Sequence, residues 1–457
     1  MALVALAARP APRKLRVGIF ADHALQPRWV AEAFDNVARS ECAEIVALVV
    51  DGAPPRAARW WMFGADHAKP VDLRTHIAHT NLPQPDLDVA FALGGFDDAK
   101  LDGIARLGVW RLHLDGAHAV LAARLAAGDA PRVAYESWGC TEMLPKAAEF
   151  PLRALQEAQR SGRAWLEQRR PLTGTQRQAA ISRPLLPALQ EILRRGLERA
   201  LAPEQWSLAF RFGALTPDLA GFTRIVPPRG RDWSDPFVLE RNGHYYVFFA
   251  DTGHIAMLEV SRDGRWTAPV RVLERDYATS HPFLLEHEGN LYLVPDTARN
   301  RTLEIYRCVD FPLRWRRERV LFEGVRLADA TFHRGADRWW LFANGNFDDE
   351  LHLFHARHLL GDWQPHLRNP VKSDARSSRP AGALYWRNGA LYRPAQICAP
   401  QLGLSINRVL RLTPEWYAER QLERVLPGDD NGLRGLQTVN RAGELTVVDV
   451  LAQRRRI

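Results

Sequence analysis

The chain changes its pattern of apolar and polar positions twice. Up to about residue 145, short apolar runs alternate with amphipathic stretches. Leu15–Phe20 (LRVGIF) has the continuous apolar character of a buried strand, and Trp29 to Ala38 has helical spacing after a polar loop. Further strands are predicted at Glu44–Val50, Asp88–Leu93 (DVAFAL) and Val109–Leu114, with a helix running from Gly94-Gly95 to about Arg106. Strands alternating with helices predict a parallel sheet in an α/β, Rossmann-like arrangement. The Gly-x-Gly-x-x-Gly fingerprint is absent after the first strand, which argues against a nicotinamide dinucleotide site. From Lys146 to Leu201 the chain is rich in Leu, Ala, Arg and Gln, interrupted by Pro171, Pro184 and Pro187, and predicts a helical connector. The expected organisation is an α/β domain over 1–145, a connector over 146–213 and a β-rich domain over 214–457.

In the β-rich part the pattern repeats. WSDPFVLERNGHYYVFF starts at Trp233, SHPFLLEHEGNLYLV at Ser280, ADATFHRGADRWWLFA at Ala328 and SRPAGALYWRNGALYRP at Ser378. Each reads as a polar residue at a strand start, an alternating strand, a Gly-containing turn and an aromatic second strand. Asn242-Gly243 and Asn388-Gly389 are strong hairpin signals, because both central positions of a type I′ turn need positive φ. Asp235, His281, Asp329 and Arg379 occupy the equivalent position, at intervals of 46, 48 and 50 residues. One four-stranded blade needs a period of that size, so the prediction is an all-β five-bladed β-propeller, with LQTVNRAGELTVVDV from Leu436 as the fifth unit.

A length of 457 residues accords with two domains, and 46% hydrophobic with 25% charged residues is ordinary globular composition. The net charge of +8 is nearly all arginine, since Lys14, Lys69, Lys100, Lys146 and Lys372 are the lysines. The arginines are scattered among acids and no nucleic-acid motif accompanies them, which argues against a DNA or RNA partner and leaves an anionic small ligand. Cys42, Cys140, Cys308 and Cys398 are far apart, without zinc or disulfide-framework spacing, so free thiols are expected and no metal is implied. No stretch approaches a transmembrane span. A cytoplasmic location is expected, with peripheral membrane contact left open. No cofactor is indicated.

The inner strands of a propeller line one channel, so the residues that start them converge at one mouth. Two carboxylates, an imidazole and a guanidinium placed there suit sugar binding or general acid–base work. Asp235, His281 and Asp329 are the catalytic candidates and Arg379 the contact for an anionic group. Asp251 and Asp296, which end second strands, and Arg393 and Gln396 in the fourth unit, are further binding candidates. Trp339, Trp340, Trp363 and Trp386 are placed to stack on a glycan or to pack in the core.

The DPF start with its Gly turn and aromatic second strand resembles five-bladed propeller glycosidases of the arabinanase and β-xylosidase type. That resemblance implies a base at Asp235 and a tuning carboxylate at Asp329. No Glu-Gly-Pro-like segment supplies the acid, and His281 stands where one would be expected. Longer segments, among them DPFVLERNGHYYVFFAD, SHPFLLEHEGNLYLVPDT, LEIYRCVDFPLRW, SRPAGALYWRNGALYRPAQ and LTPEWYAER, resemble in order the N-terminal region of plant glucosamine inositolphosphorylceramide transferases and their bacterial stand-alone relatives. This implies a glycan or glycolipid setting with a separate glycosyltransferase as partner. DLDVAFALGGFDDAKLDGIARLGVWRLHLDG in the first domain is similar to the formyltransferase fold: His113 matches that family's His, and Arg111 stands where its Asn belongs.

The expected function is recognition of a sugar, sugar nucleotide or glycolipid head group in polysaccharide or glycolipid biosynthesis, with sugar transfer or modification as the associated chemistry. A glycoside hydrolase, a non-catalytic glycan-binding or scaffold module and an amino-sugar N-formyltransferase are the alternatives.

Overall fold

The computed structural model describes residues 13–52, 69–79, 86–115, 118–138, 143–167, 169, 171–172, 204–216, 219–345, 350–398, 401–427 and 432–453. The chain forms two compact units, divided between Arg183 and Pro184.

In the first unit, strands form at Leu15–Ala21, Ala43–Val50, Val89–Leu93 and Val109–Asp115, where apolar runs predict them. They lie in one sheet in the spatial order Ala43–Val50, Leu15–Ala21, Val89–Leu93 and Val109–Asp115, all parallel. The sheet continues through His118–Arg124 and Arg132–Trp138, both antiparallel to their neighbours, so it is mixed. Helix Arg28–Ala38 buries Trp29, Val30, Phe34 and Val37, and helix Phe150–Ser161 buries Phe150, Ala154 and Leu155, against the same core. The helix expected from Gly94 to Arg106 is reduced to one 3₁₀ turn, Asp98–Leu101. Asp97 caps that turn at Ala99 N, and Gly103 at φ 79° redirects the chain two residues after it. The crossover is then too short to cover a sheet face, which is why the regular strand–helix alternation stops there.

The helices around 143–167 pack within the first unit. Most of the remaining expected connector, 173–203, lies outside the described residues, as does Cys140. Glu204–Phe212, assigned to the connector from its position in the chain, is a strand of the second unit.

The second unit is a five-bladed propeller. Its first blade is Trp233–Arg241, His244–Asp251, His254–Val260 and Val270–Leu273. The second is Ser280–His287, Asn290–Asp296, Thr302–Asp310 and Arg314–Glu323. The third is Ala328–Arg334, Trp339–Asn344, Glu350–Ala356 and Gln364–Pro365, with Lys372–Ser373 added to its third strand. The fourth is Tyr385–Arg387, Ala390–Ile397, Gly403–Leu412 and Tyr417–Val425. The fifth takes its two inner strands, Leu433–Ala442 and Leu445–Gln453, from the end of the chain and its two outer ones, Glu204–Phe212 and Thr223–Ile225, from the start of the unit. The nine-residue antiparallel pairing from Glu204↔Gln453 to Phe212↔Leu445 closes the ring with backbone hydrogen bonds. Asn242-Gly243 and Asn388-Gly389 both have positive φ at each residue, as the hairpin signal requires.

Blades pack face to face through alternating apolar residues. Phe237, Phe283, Phe332 and Trp363 form a chain of ring contacts with centroids 5.5, 5.8 and 5.4 Å apart, crossing from the first blade to the third. Trp339, Trp340 and Trp363 are core residues, whereas Trp386 is 65% exposed. At the seam of the fourth and fifth blades, Gly382 has φ 136°, and a Cβ there would lie 2.1 Å from Val439 O. Gly382→Ala is therefore expected to cost about 2 kcal/mol or more, read as a lower denaturant midpoint, because backbone rather than a flexible side chain must yield. An unchanged midpoint would refute this account of the seam.

Candidate functional site at the propeller mouth

Asp235, His281 and Asp329 share an unusual backbone state. Their φ angles are 52°, 44° and 52°, left-handed values that residues with a Cβ rarely adopt. Each sits inside a register shift of its inner strand: between Ser234 and Phe237, Ser280 and Phe283, and Ala328 and Thr331. The repeat thus places a β-bulge at the mouth end of three blades, and a bulge re-aims its side chain away from the sheet face. Arg379 takes the equivalent place in the fourth blade, where Pro380 makes an isolated bridge to Ala395. Gln437 takes it in the fifth, between Leu436 and Val439.

Three of the predicted residues meet directly. Arg379 Nε donates to Asp329 Oδ2 at 2.5 Å, and His281 Nδ1 stands 3.7 Å from Asp329 Oδ1. His281 Nε2 lies 3.4 Å from Thr331 Oγ1, and its ring meets Phe237 edge-on at 4.8 Å. His281 is fully buried, and its Nδ1 has no hydrogen-bond partner among the described residues, since 3.7 Å exceeds a hydrogen bond. Asp329 is buried, while the Arg379 side chain is 28% exposed and is the member that meets solvent.

Asp235 is tied to the fifth blade. Its Oδ1 accepts from Gln437 Nε2 at 3.2 Å and Thr438 Oγ1 at 3.1 Å, and its backbone N–H donates to Asp449 Oδ2 at 2.8 Å. Asp449 also accepts from the N–H groups of Gln437 (3.1 Å) and Thr438 (2.8 Å). Burial and the neighbouring Asp235 carboxyl push its pKa up to about 7. Asp296 does the equivalent at the seam of the second and third blades. It accepts from Asp329 N at 3.2 Å and Ala298 N at 2.8 Å, and burial together with Asp329 raises its pKa to about 6. In both cases a carboxyl from the preceding blade, buried at Asp449 and partly buried at Asp296, holds the N–H of a left-handed aspartate.

Asp449, Gln437 and Thr438 are absent from the residues predicted from sequence. The available signal was an aspartate inside the apolar strand LTVVDVL, together with the alignment of LQT on SDP and SHP.

The other predicted residues go elsewhere. Asp251 is buried in an ion pair with Arg231 Nε at 2.8 Å, with His254 Nε2 at 3.7 Å. Gln396 is buried and donates to Pro380 O at 3.1 Å, behind the fourth-blade start. Arg393 is wholly buried, bonded through Nε and Nη2 to Glu419 and through Nη1 and Nη2 to the carbonyls of Ser378 and Ser377. His113 lines a cleft of about 420 Å³ in the first unit with Gly95, Phe96, Asp97, Arg111 and Arg124. There Arg111 donates to the carbonyls of Gly94 and Phe96. Among the described residues no group of three or more His, Cys, Asp or Glu is placed to hold a metal ion.

Residues 231–449 match the family model described as glucosamine inositolphosphorylceramide transferase 1, N-terminal, as the repeat motifs predict. Curated relatives include glucosamine inositolphosphorylceramide transferase 1 of Oryza sativa subsp. japonica, 28% identical over 204 residues, covering 41% of this chain and 27% of the relative. The Arabidopsis thaliana protein of the same name is 26% identical over 216 residues, covering 44% of this chain and 28% of the relative. The chain therefore matches little more than a quarter of the length of these relatives. Among solved structures, a family 117 glycoside hydrolase of Zobellia galactanivorans aligns over 54% of this chain and 90% of its own, at 11% identity and a TM-score of 0.38. An exo-β-1,3-galactanase of Clostridium thermocellum aligns over 44% and 54%, at 10% identity and a TM-score of 0.35.

Proposed function

We propose that this chain, whose propeller carries the glucosamine inositolphosphorylceramide transferase N-terminal match, recognises a carbohydrate-containing ligand of glycolipid or polysaccharide biosynthesis at the propeller mouth. The observation that carries the reading is the left-handed backbone at Asp235, His281 and Asp329. Gly or Asn would satisfy such a bulge as well, and Asp and His also tolerate positive φ, as Thr252 and Glu288 do elsewhere in the propeller. What sets the mouth apart is that its bulges carry titratable groups that converge. Three blades place such a side chain there, and strain of this kind is characteristic of ligand sites. Arg379, held by Asp329 and open to solvent, would take an anionic group such as the phosphate of a sugar nucleotide or glycolipid head. The Nδ1 of His281, which has no hydrogen-bond partner among the described residues, supports the same reading, because a buried nitrogen without one costs about 1–3 kcal/mol until a ligand or water meets it.

The test is a calorimetric screen of sugar nucleotides, inositol phosphates and oligosaccharides against wild type, Asp235→Ala and Arg379→Met. A phosphate-bearing sugar should bind wild type at least about tenfold more tightly than Arg379→Met, the loss expected when a charge-assisted hydrogen bond is removed. Equal affinities for all three proteins would remove the site. Turnover of the bound compound by wild type and not by Asp235→Ala would extend the reading from recognition to catalysis.

A further inference from the structure

The end of the propeller opposite the mouth carries the exposed aromatic residues. Each inner strand runs from the mouth to a hairpin at the far end, and the turns between third and fourth strands lie at that far end too. Of the propeller tryptophans, Trp266, Trp386 and Trp416 are exposed, and all three sit in or beside these far-end turns. Trp266 lies in the third turn of the first blade, Trp386 at the end of the fourth inner strand, and Trp416 in the turn after Gly403–Leu412. Leu313, in the corresponding turn of the second blade, is exposed as well, as are Leu410 (55%) and Leu367 (62%). Leu367 is held beside the Trp416 turn by its N–H bond to Pro414 O. By contrast, the glycan-stacking candidates Trp339 and Trp340 are consumed by the core.

Several guanidiniums among these side chains are laid on rings, while Asp263, Asp310 and Asp337 in the same turns pair with Arg265, Arg314 and Arg338. Arg368 and Arg411 lie 3.5 and 5.4 Å from the Trp416 ring, Arg241 lies 4.7 Å from Phe311, and Arg387 lies 4.6 Å from Tyr392. Such arginines cover apolar surface with their stems and hold their heads at its edge, Arg387 being also paired with Glu423 at 3.0 Å. Between the third and fourth blades the same end holds a groove of about 500 Å³ lined by Trp340, Trp386, Arg408, Leu410 and Arg411.

We infer that this end is a membrane-docking face, and that its partner is a bilayer surface bearing anionic lipid. Tryptophan with arginine beside it is the pair that settles at the level of lipid head groups, the ring at the acyl boundary and the cation among phosphates. The anchors come from the first, second and fourth blades, on separate turn tips. A peptide or oligosaccharide in the groove would meet Trp386 and Leu410 but would leave Trp266 and Leu313 in water. A bilayer is broad enough to meet all of them together. No helix among the described residues is long and apolar enough to cross a membrane.

Vesicle co-sedimentation of the full chain tests this, using phosphatidylcholine vesicles with and without about a third phosphatidylserine, the anionic lipid being what the arginines would meet. Wild type should sediment with the anionic vesicles, more weakly as salt is raised. Trp386→Ser combined with Trp416→Ser should reduce the bound fraction at least about tenfold. Leu313→Asp, at an exposed turn tip, should reduce it independently. Asp329→Asn, at the mouth, should sediment as wild type does, which separates this face from the proposed ligand site. The proposal is overturned if wild type stays in the supernatant with both vesicle types, whatever else the groove binds. It is equally overturned if the tryptophan and leucine variants sediment undiminished.

Discussion

Glu419→Ala should lower the stability of the propeller by about 3–5 kcal/mol, the penalty for leaving a buried charge without its partner. Glu419 lies in the outer strand of the fourth blade yet is itself buried. Its Oε1 accepts from Arg393 Nη2 at 2.7 Å and Lys372 Nζ at 2.6 Å, and its Oε2 accepts from Arg393 Nε at 2.9 Å. The Tyr417 hydroxyl donates to Oε2 as well. Burial alone would raise the carboxyl pKa, but Arg393 and Lys372 overcome it and hold the group down at about 2. A depressed carboxylate stabilises the fold above its unfolded pKa and loses that contribution as pH falls through its folded value, here toward about 2. At neutral pH the full contribution is present. Alanine would leave the Arg393 guanidinium inside the blade with only the Ser377 and Ser378 carbonyls and the Tyr417 hydroxyl. Lys372, on the short strand added to the third blade, would lose the same partner, so the damage should cross the seam between blades.

Urea denaturation at pH 7 would measure it. A loss below about 1 kcal/mol would show that water replaces the missing carboxylate and that the pair is not sealed. The double variant Arg393→Met with Glu419→Met should be less destabilised than the sum of its single variants, because removing both charges leaves neither stranded. Ligand affinity at the mouth should follow stability in these variants and nothing more specific. The repeat makes Arg393 a binding candidate, and the structure commits its guanidinium to Glu419 and the carbonyls of Ser377 and Ser378.

How far the sequence reached can be judged from these residues. The propeller was readable because its signals are local: the polar start, the alternating strand and the Asn-Gly turn recur within each blade. Equivalent positions then followed by alignment, which brought out Asp235, His281, Asp329 and Arg379. What local pattern does not carry is the partner across a seam. Asp449 lies more than two hundred residues from Asp235, and only ring closure brings it to that N–H. Arg393 and Gln396 lie in the second strand of their blade, as Asp296 does in its own, but without its environment, because a period of two along a strand says which face a side chain takes and not what waits there. In the first unit the strands were legible from their apolar runs. The missing crossover helix was not, since Gly94, Gly95 and Gly103 are compatible with a helix flanked by turns until the length left between them is counted. The closing strand Glu204–Phe212 was hidden for a different reason. It follows a stretch whose sequence predicts helix, and it pairs with Leu445–Gln453 near the end of the chain.

Asp449→Asn should flatten the pH dependence of stability between about pH 4 and pH 7. Asp449 is buried, and its pKa stands at about 7, against an ordinary 3.8, because burial and the Asp235 carboxyl both oppose its charge. Between about pH 4 and pH 7 the unfolded chain gives up this proton while the folded chain keeps it. The folded state then binds more protons than the unfolded one, and stability falls as pH rises through that window. Asparagine cannot titrate, so the variant lacks this fall. It does lose one acceptor, since an amide can serve the N–H groups of Gln437 and Thr438 with its oxygen but presents NH₂ toward the N–H of Asp235. At pH 5 the variant should therefore be less stable than wild type. On going to pH 8 the gap should close by about 2–4 kcal/mol, the size that follows from a carboxyl displaced this far. Chemical denaturation of both proteins at the two pH values measures the change directly. Parallel pH profiles would mean that Asp449 is not protonated near neutrality. A converging profile accompanied by weaker ligand binding at pH 5 would join the two properties. The carboxyl that costs the propeller stability as pH rises would then be the one that aims the first-blade aspartate into the mouth.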